Sequence, residues 1–343
     1  MRKLLNTLYV TNPEAYISRD GENIVVKIDN KEAVRRPIHT LEGIVCFNYV
    51  GVSPQLMKLC VDNNVNMAFI SEFGRFMARV NGAVSGNVLL RRTQYRYADD
   101  ENISLDIAKN CILGKLVNCR VVLNRSLRDH GQKIDSVAVK NIINRLNQSI
   151  DNVKISTNID ELRGIEGEAA RGYFSVFDNM ILTQRNEFYF NERSKRPPTD
   201  NLNAMLSFAY TLLANDIQSA LETVGLDPYV GFMHTDRPGR ASLALDLMEE
   251  LRPYIAERFV ISLINKKQVS GDGFIKKESG GIIMDKDTKA TFLTAWQKRK
   301  QEIVTHPFLN EKVEIGLIPY VQAMLLARYI RGDIERYPPY FMS

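Results

Sequence analysis

The chain is poor in cysteine and has no paired cysteine motif. Its four cysteines, Cys46, Cys60, Cys111 and Cys119, form no C-x-x-C pair and lie in apolar stretches. That pattern excludes a disulfide framework and a thiolate zinc site, and it predicts reduced core thiols. No G-x-x-x-x-G-K-[ST] run is present, so a P-loop nucleotide site is excluded. No stretch approaches the roughly 20 apolar residues needed to span a bilayer. The opening Met-Arg-Lys-Leu-Leu-Asn6 begins like a secretory segment, but its apolar run stops at Asn6 and Thr7 and no small-residue cleavage site follows. A cytoplasmic protein without membrane association is therefore expected. Nor does one sign of charge dominate: 45 Lys and Arg stand against 40 Asp and Glu, a net charge of +5. That balance argues for a polyanionic partner only where the cations cluster.

What is present is an ordinary globular composition of 343 residues, 45% hydrophobic and 25% charged, long enough for two domains. Short runs rich in Val, Ile, Phe and Tyr predict strands over Leu4–Val10, Ala15–Ser18, Asn23–Ile28, Gly43–Phe47, Asn66–Ile70 and Ala78–Ala83, with Asp20-Gly21 as a hairpin turn and one helix over Pro54–Asn63. From Asn87 the periodicity is helical: Leu105–Leu127, Ser136–Ile150, Asn158–Met180, Leu202–Val224, Ser242–Leu251, Tyr254–Lys266, Lys286–Thr305 and Val313–Arg331. The expected architecture is a small all-β amino-terminal domain, residues 1–86, followed by a larger all-α domain, residues 87–343.

Chemistry concentrates in Gly231–Pro253, which carries one histidine, four carboxylates and three arginines around a loop-to-helix transition. Pro238-Gly239 breaks the chain, Ser242 is the expected N-cap, and Leu243, Leu247 and Leu251 form a buried stripe until Arg252-Pro253 ends the helix. Asp246, Glu249 and Glu250 then share the other face, where like charges repel unless a cation or basic partner sits between them. Carboxylates with one imidazole, His234, suit Mg²⁺ or Mn²⁺, and a hard cation with open positions points toward phosphate chemistry. The competing interpretation is a solvated acidic helix face with His234 bonded to backbone, and by spacing alone it has a slight lead.

A second acidic element is Glu161–Phe174, where Gly164, Gly167 and Gly172 interrupt a helical pattern. Glycine in such a place predicts close approach of another backbone or a ligand, so Glu166 is expected at a tight helix crossing that a bulky residue at Gly167 would disturb. The alternative is a surface pair of Glu166 with Arg163 or Arg171. Cations cluster at Arg185, Arg193, Lys195 and Arg196 beside Phe188, Tyr189 and Phe190, and again at Lys298-Arg299-Lys300 after the single tryptophan, Trp296. Each alone is usually a solvated face; together with a hard-metal site they favour a polyphosphate backbone.

Three separated elements now combine: Gly231–Pro253, the Gly164-Ile-Glu166-Gly167 element with Ala169-Ala170 and Tyr173-Phe174, and Asp200–Tyr210 between them. In this order and spacing the chain closely resembles the CRISPR-associated integrases, the Cas-one proteins of spacer acquisition, and among them the type I, subtype I-C branch. The resemblance covers essentially the whole chain. It implies one divalent ion held by Glu166, His234 and Glu249, with Asp246 an accessory acid one turn earlier; either Asp246 or Glu249 fits as the inner ligand, and His234 as a ligand or a proton shuttle. It further implies that Asn203 and Tyr210 lie near the site, with Arg237 and Arg240 suited to the phosphates; from the cation clusters, Arg193, Lys195, Arg196, Lys298 and Arg299 are further candidates for DNA contact. The implied reaction is attack by the 3′-hydroxyl of a captured duplex on a phosphodiester of the CRISPR array, with hydrolysis of branched or single-stranded DNA at the same site. The implied partners are double-stranded DNA, a second copy of the chain paired through the β domain, a dimer of the small Cas-two protein in a four-to-two assembly, and an adaptation nuclease of the Cas-four type. Two other functions compete: a non-catalytic DNA-binding scaffold, and a metal-dependent phosphohydrolase of smaller substrates.

Overall fold

The computed structural model describes residues 6–71, 76–82, 88–194 and 197–342. The amino-terminal region builds two four-stranded sheets. In the first, β1 (Thr7–Val10), β5 (Gly43–Phe47), β7 (Asn66–Ile70) and β8 (Phe76–Val80) lie in that order, the first three parallel and β8 antiparallel to β7. In the second the order is β4 (Lys31–Pro37), β3 (Asn23–Ile28), β2 (Tyr16–Asp20) and β6 (Gly51–Val52). Gly21, at φ 59°, turns β2 into β3; Asp29 and Asn30, both at positive φ, turn β3 into β4, as short polar side chains tolerate best. The edge strand β4 reads Lys-Glu-Ala-Val-Arg-Arg-Pro and is mostly exposed. With no buried face it shows no apolar alternation, which is why composition does not reveal it. Helix α1 (Pro54–Asp62), capped by Ser53 on the Leu56 amide, packs beneath, so the region is strand-rich but not all-β.

Helices follow: α2 (Val88–Asp99), α3 (Glu101–His130), α4 (Ser136–Ile155), α5 (Ile159–Ser175), α6 (Asn201–Val224), α7 (Ser242–Leu251), α8 (Arg258–Asn265), α9 (Lys286–Lys300) and α10 (Ile318–Ile330). Asp100, Asn158 and Asp200 cap α3, α5 and α6 by accepting from first-turn amides. The expected all-α organisation needs correction. Two small hairpins interrupt it: β9 (Phe274–Lys276) with β10 (Ile282–Met284), and β11 (Ile303–Thr305) with β12 (Lys312–Glu314). The helix expected over Lys286–Thr305 therefore stops at Lys300, and that over Val313–Arg331 starts at Ile318. Arg252-Pro253 also fails to end a helix. A π-helical turn, Arg252–Glu257, carries the chain from α7 into α8, a local widening that recurs at functional sites.

The two regions share β5, all of whose residues are buried. Ile44 and Cys46 point into a strand-region cluster with Ile17, Ile24, Leu56 and Met67, whereas Val45 and Phe47 point into the large helical core. Phe47 stacks on Phe208 of α6 at 5.6 Å. Arg79 of β8 crosses to α6, meeting Glu222 at 2.8 Å and Asn215 Oδ1 at 2.6 Å. A division at residues 86 and 87 falls among residues outside the described set. The cysteines are free and buried, as expected of core thiols, and burial pushes the Cys46 and Cys60 thiols up to about 12. Among the described residues no helix is long and apolar enough to cross a membrane.

Candidate active site

The loop before α7 is folded around one carboxylate. Asp246 of α7 is 1% exposed, and its Oδ2 accepts from the Phe232 amide at 2.6 Å and the Met233 amide at 3.0 Å. Its Oδ1 accepts from the His234 amide at 3.0 Å and lies 2.6 Å from His234 Nδ1. In the neutral imidazole a carboxylate there holds the proton on Nδ1, so Nε2 is the nitrogen with the lone pair. Gly231 permits this wrapping: a Cβ on it would stand 2.8 Å from Asp246 Oδ2 and 2.8 Å from Ser242 Cβ. Arg163 of α5 fastens the loop from the other side, donating to Asp160, to the Met233 carbonyl and to Thr235. Ser242 is the first residue of α7 rather than its N-cap, and its hydroxyl donates to the Thr235 carbonyl at 3.2 Å.

One turn further along α7, Glu249 faces Glu166 of α5 across the ammonium of Lys115 on α3. Lys115 Nζ is hydrogen-bonded to Glu166 Oε1 and lies 2.7 Å from Glu249 Oε2. Glu249 Oε1 meets Arg252 at 2.8 Å. Burial alone would raise the Glu249 carboxyl, but the Arg252 guanidinium and the Lys115 ammonium outweigh it and bring it down to about 2; His234 pulls the same way, which places the imidazole within electrostatic reach. Burial opposes the Lys115 charge too, yet Glu249 and Glu166 hold the ammonium above its ordinary value. The Glu249 Oε2 contact with Lys115 is an ion pair without hydrogen-bond alignment, so this buried oxygen has no hydrogen-bond donor.

The remaining acids sort clearly. Asp246, Glu249 and Glu250 are 1%, 3% and 0% exposed, so the solvated-face interpretation is wrong for all three. Glu250 turns away from Lys115 toward the carboxyl-terminal segment, accepting from Tyr337, Gln322 at 3.0 Å and the Tyr340 amide at 2.8 Å. The tight crossing expected at Gly164 and Gly167 is elsewhere: a Cβ at either would meet nothing within 4 Å. It lies at Gly114 of α3, where a Cβ would stand 2.6 Å from Glu250 Cβ, and this contact brings α7 close enough for Lys115 to reach Glu249. Glu166 pairs with neither Arg163 nor Arg171 in any bond seen among the described residues.

The polar residues around this centre are largely engaged. Asn203 is fully buried, its amide accepting from Arg193 at 2.6 Å and donating to the Glu192 carbonyl at 2.8 Å; it pins the loop before α6. The Tyr210 hydroxyl donates to Glu257 at 2.7 Å, and its ring carries the guanidinium groups of Arg193 and Arg252, each 5.3 Å from the centroid. Arg237 and Lys298 are exposed and Arg240 is half-buried. Arg299 pairs with Glu302 and stacks on Tyr254 at 5.1 Å, while Lys300 is buried against Asp216 at 3.1 Å; the Lys298-Arg299-Lys300 run is thus not one cationic face. Lys195 and Arg196 lie outside the described residues.

The donor set suits a hard divalent ion: carboxylates from two helices, one with an orphaned buried oxygen, and within electrostatic reach of it an imidazole held by a buried acid. Among the described residues no three His, Cys, Asp or Glu groups close into a metal cage as they stand; the position between Glu166 and Glu249 belongs to an ammonium. Sequence reasoning missed Lys115, Arg252 and Arg163 as parts of the centre. Lys115 carries a legible signal, because Cys111, Lys115 and Cys119 repeat every fourth residue and put one cation on a buried helix stripe.

A family model for CRISPR associated protein Cas1 matches residues 8–298. The chain is 49% identical over 340 residues to CRISPR-associated endonuclease Cas1 1 of Chlorobaculum tepidum, covering 99% of each. It is 32% identical over 334 residues to a CRISPR-associated exonuclease Cas4/endonuclease Cas1 fusion of Geobacter sulfurreducens, covering 96% of this chain and 59% of that protein. Among solved structures, a casposase bound to integration product matches with a TM-score of 0.83 at 21% identity, covering 96% of this chain and 92% of that one. A chain of a Cas6-RT-Cas1–Cas2 complex matches with a TM-score of 0.81 at 21% identity, covering 97% of this chain and 36% of that one. At such identities the structural likeness speaks for the fold.

Proposed function

Since the chain belongs to the Cas1 family of CRISPR-associated proteins, we propose that it is the metal-dependent DNA endonuclease and integrase of a CRISPR adaptation system of type I, subtype I-C. The observation that carries this reading is the convergence of Glu166 and Glu249, from separate helices, with an imidazole whose Nδ1 is held by a buried carboxylate in electrostatic reach of Glu249. Glu166, Glu249 and His234 Nε2 would hold Mg²⁺ or Mn²⁺, and Asp246 acts through His234 rather than as a ligand. The bound ion would supply Lewis acidity to the scissile phosphate and the attacking oxygen.

The protein's own groups supply the rest. Asp246 orients the ring and holds the proton of the neutral imidazole on Nδ1, so that Nε2 is the nitrogen presented to a ligand, and Arg252 with Lys115 favours the ionised form of Glu249. Arg237 and Arg240, on the loop between His234 and α7, suit the flanking phosphates. In joining, the 3′-oxygen of the captured strand forms the new bond to phosphorus, the bond to the array's 3′-oxygen breaks, and the proton of the attacking hydroxyl is passed to that leaving oxygen through water. One phosphodiester replaces another, so no nucleotide is consumed. Water in place of the hydroxyl makes the same centre a nuclease.

The assembly we propose is a homodimer paired through the strand-rich region, residues 1–86, with residues 87–343 catalytic. It works on captured and array duplexes in the cytoplasm. A Cas2 dimer joins two such dimers, in keeping with the Cas1–Cas2 complex among the structural relatives, and a Cas4 nuclease joins in keeping with the fused relative. The test is a gel assay that joins a short duplex with 3′-hydroxyl ends to a plasmid carrying a CRISPR array, with Mn²⁺ and Cas2 present. Glu166→Ala, His234→Ala and Glu249→Ala are expected to abolish joining while duplex binding survives. Joining retained by all three would reject the site, whereas duplex binding with no Mn²⁺-dependent DNA reaction even in wild type would leave a DNA-binding scaffold.

A further inference from the structure

Resting on that reading of the site, we propose that Lys115 is a built-in counter-ion that occupies the place of the divalent cation in metal-free protein and gives way when the cation binds. Three observations carry this. Lys115 is buried at the α3–α7 crossing, and its ammonium touches both Glu166 and Glu249. Glu249 Oε2, though 2.7 Å from that ammonium, has no aligned donor, so the lysine neutralises this oxygen without satisfying it. Gly114, immediately before Lys115, lets α7 approach so closely that a Cβ would stand 2.6 Å from Glu250 Cβ; the lysine is therefore confined between its two acids.

A divalent ion contacts carboxylate oxygens at roughly 2.1 Å, and a second cation cannot remain between the same oxygens against charge repulsion. Without Lys115, the buried Glu249 and the half-buried Glu166 would face each other uncompensated, apart from Arg252 on one side. Lys115 thus keeps the metal-free site folded and weakens its affinity for metal, so that the ion is exchangeable rather than locked in. A merely structural ion pair predicts the opposite for metal, since its loss would loosen the ligands.

The experiment measures Mn²⁺ binding to full-length protein by calorimetry and by the quenching of free Mn²⁺ electron paramagnetic resonance, in wild type, Lys115→Met and Lys115→Gln. Both variants are expected to bind Mn²⁺ roughly tenfold tighter or more, to melt lower than wild type in chelator, and to regain more on adding Mn²⁺. Equal or weaker Mn²⁺ binding by a folded variant would overturn the counter-ion role, while the metal site itself would stand if Glu166→Ala abolished wild-type binding. Absence of Mn²⁺ binding by wild type and variants alike would remove both. Should neither variant fold, wild type labelled with ¹³C-lysine decides. One buried lysine resonance shifting as Mg²⁺ saturates supports displacement, and a spectrum with no lysine response refutes it.

Discussion

At position 246 the carboxylate is engaged by four donors, the amides of Phe232, Met233 and His234 and the His234 ring. Spacing on a helix allowed either Asp246 or Glu249 as the inner ligand, because both lie on one face; what it could not show is that the loop at Gly231 is drawn onto Asp246, whose oxygens are taken up by that loop and His234. Asp246→Asn should keep most of the loop but replace an anion with an amide opposite Nδ1, lowering joining roughly 10- to 100-fold. Unchanged joining rates would show that His234 needs no such partner. Glu250 gives a second prediction at this scale. Burial raises its carboxyl to about 7, above the ordinary carboxylate value, so the folded protein binds this proton more tightly than the unfolded chain. Its contribution is therefore fully present below the unfolded value and is lost as pH rises through about 7. In chelator, Glu250→Gln should flatten the fall in melting temperature between about pH 5 and 8, a difference on the order of 1–3 kcal/mol. A wild-type and variant pair with parallel profiles would contradict it.

Among the elements, α3, α5 and α7 make the centre, and two glycines report how they meet. Gly114 lies under Glu250, whereas Gly167 faces open space. Gly114→Val should cost about 1–3 kcal/mol through overpacking, and by moving α7 it should weaken Mn²⁺ binding. Gly167→Ala should raise stability by up to about 1 kcal/mol with joining intact. Chemical denaturation checks both, and a reversal of their order would refute this placement of the crossing. The glycines in Glu161–Phe174 were conspicuous because three fall in one helix, while Gly114 sits alone in an apolar run. Composition records how many glycines there are, not which of them another helix touches. The bounds of α7 were legible from its leucine stripe and the preceding Pro-Gly, but the burial of its acidic face was not, since that depends on Lys115, Arg252 and Tyr337 from distant parts of the chain. Pro253 was read as a helix stop; the π-helical turn accommodates it instead.

For the whole molecule, the division into a strand-rich and a helical region was legible from the change of period near residue 87. The coupling between them was not, because β5 serves two cores and a run buried on both faces has no alternation to read. Arg79, 3% exposed at its side chain, is one polar tie across that junction, and Lys300 against Glu42 at 3.8 Å is another. Arg79→Ala should lower stability by about 1–3 kcal/mol, the partial exposure of Glu222 moderating the loss; an unchanged urea midpoint would show that this tie does not hold the regions together. The family likeness was legible from three separated motifs, because three elements in the right order at reasonable distances are far more specific than any one of them. The measurement that bears most directly on that centre is anomalous diffraction from crystals soaked in Mn²⁺. The account predicts one peak in contact with Glu166, Glu249 and His234 Nε2, with Asp246 still on Nδ1 and the Lys115 ammonium moved aside. A peak bound to Asp246, or none between Glu166 and Glu249, would contradict it.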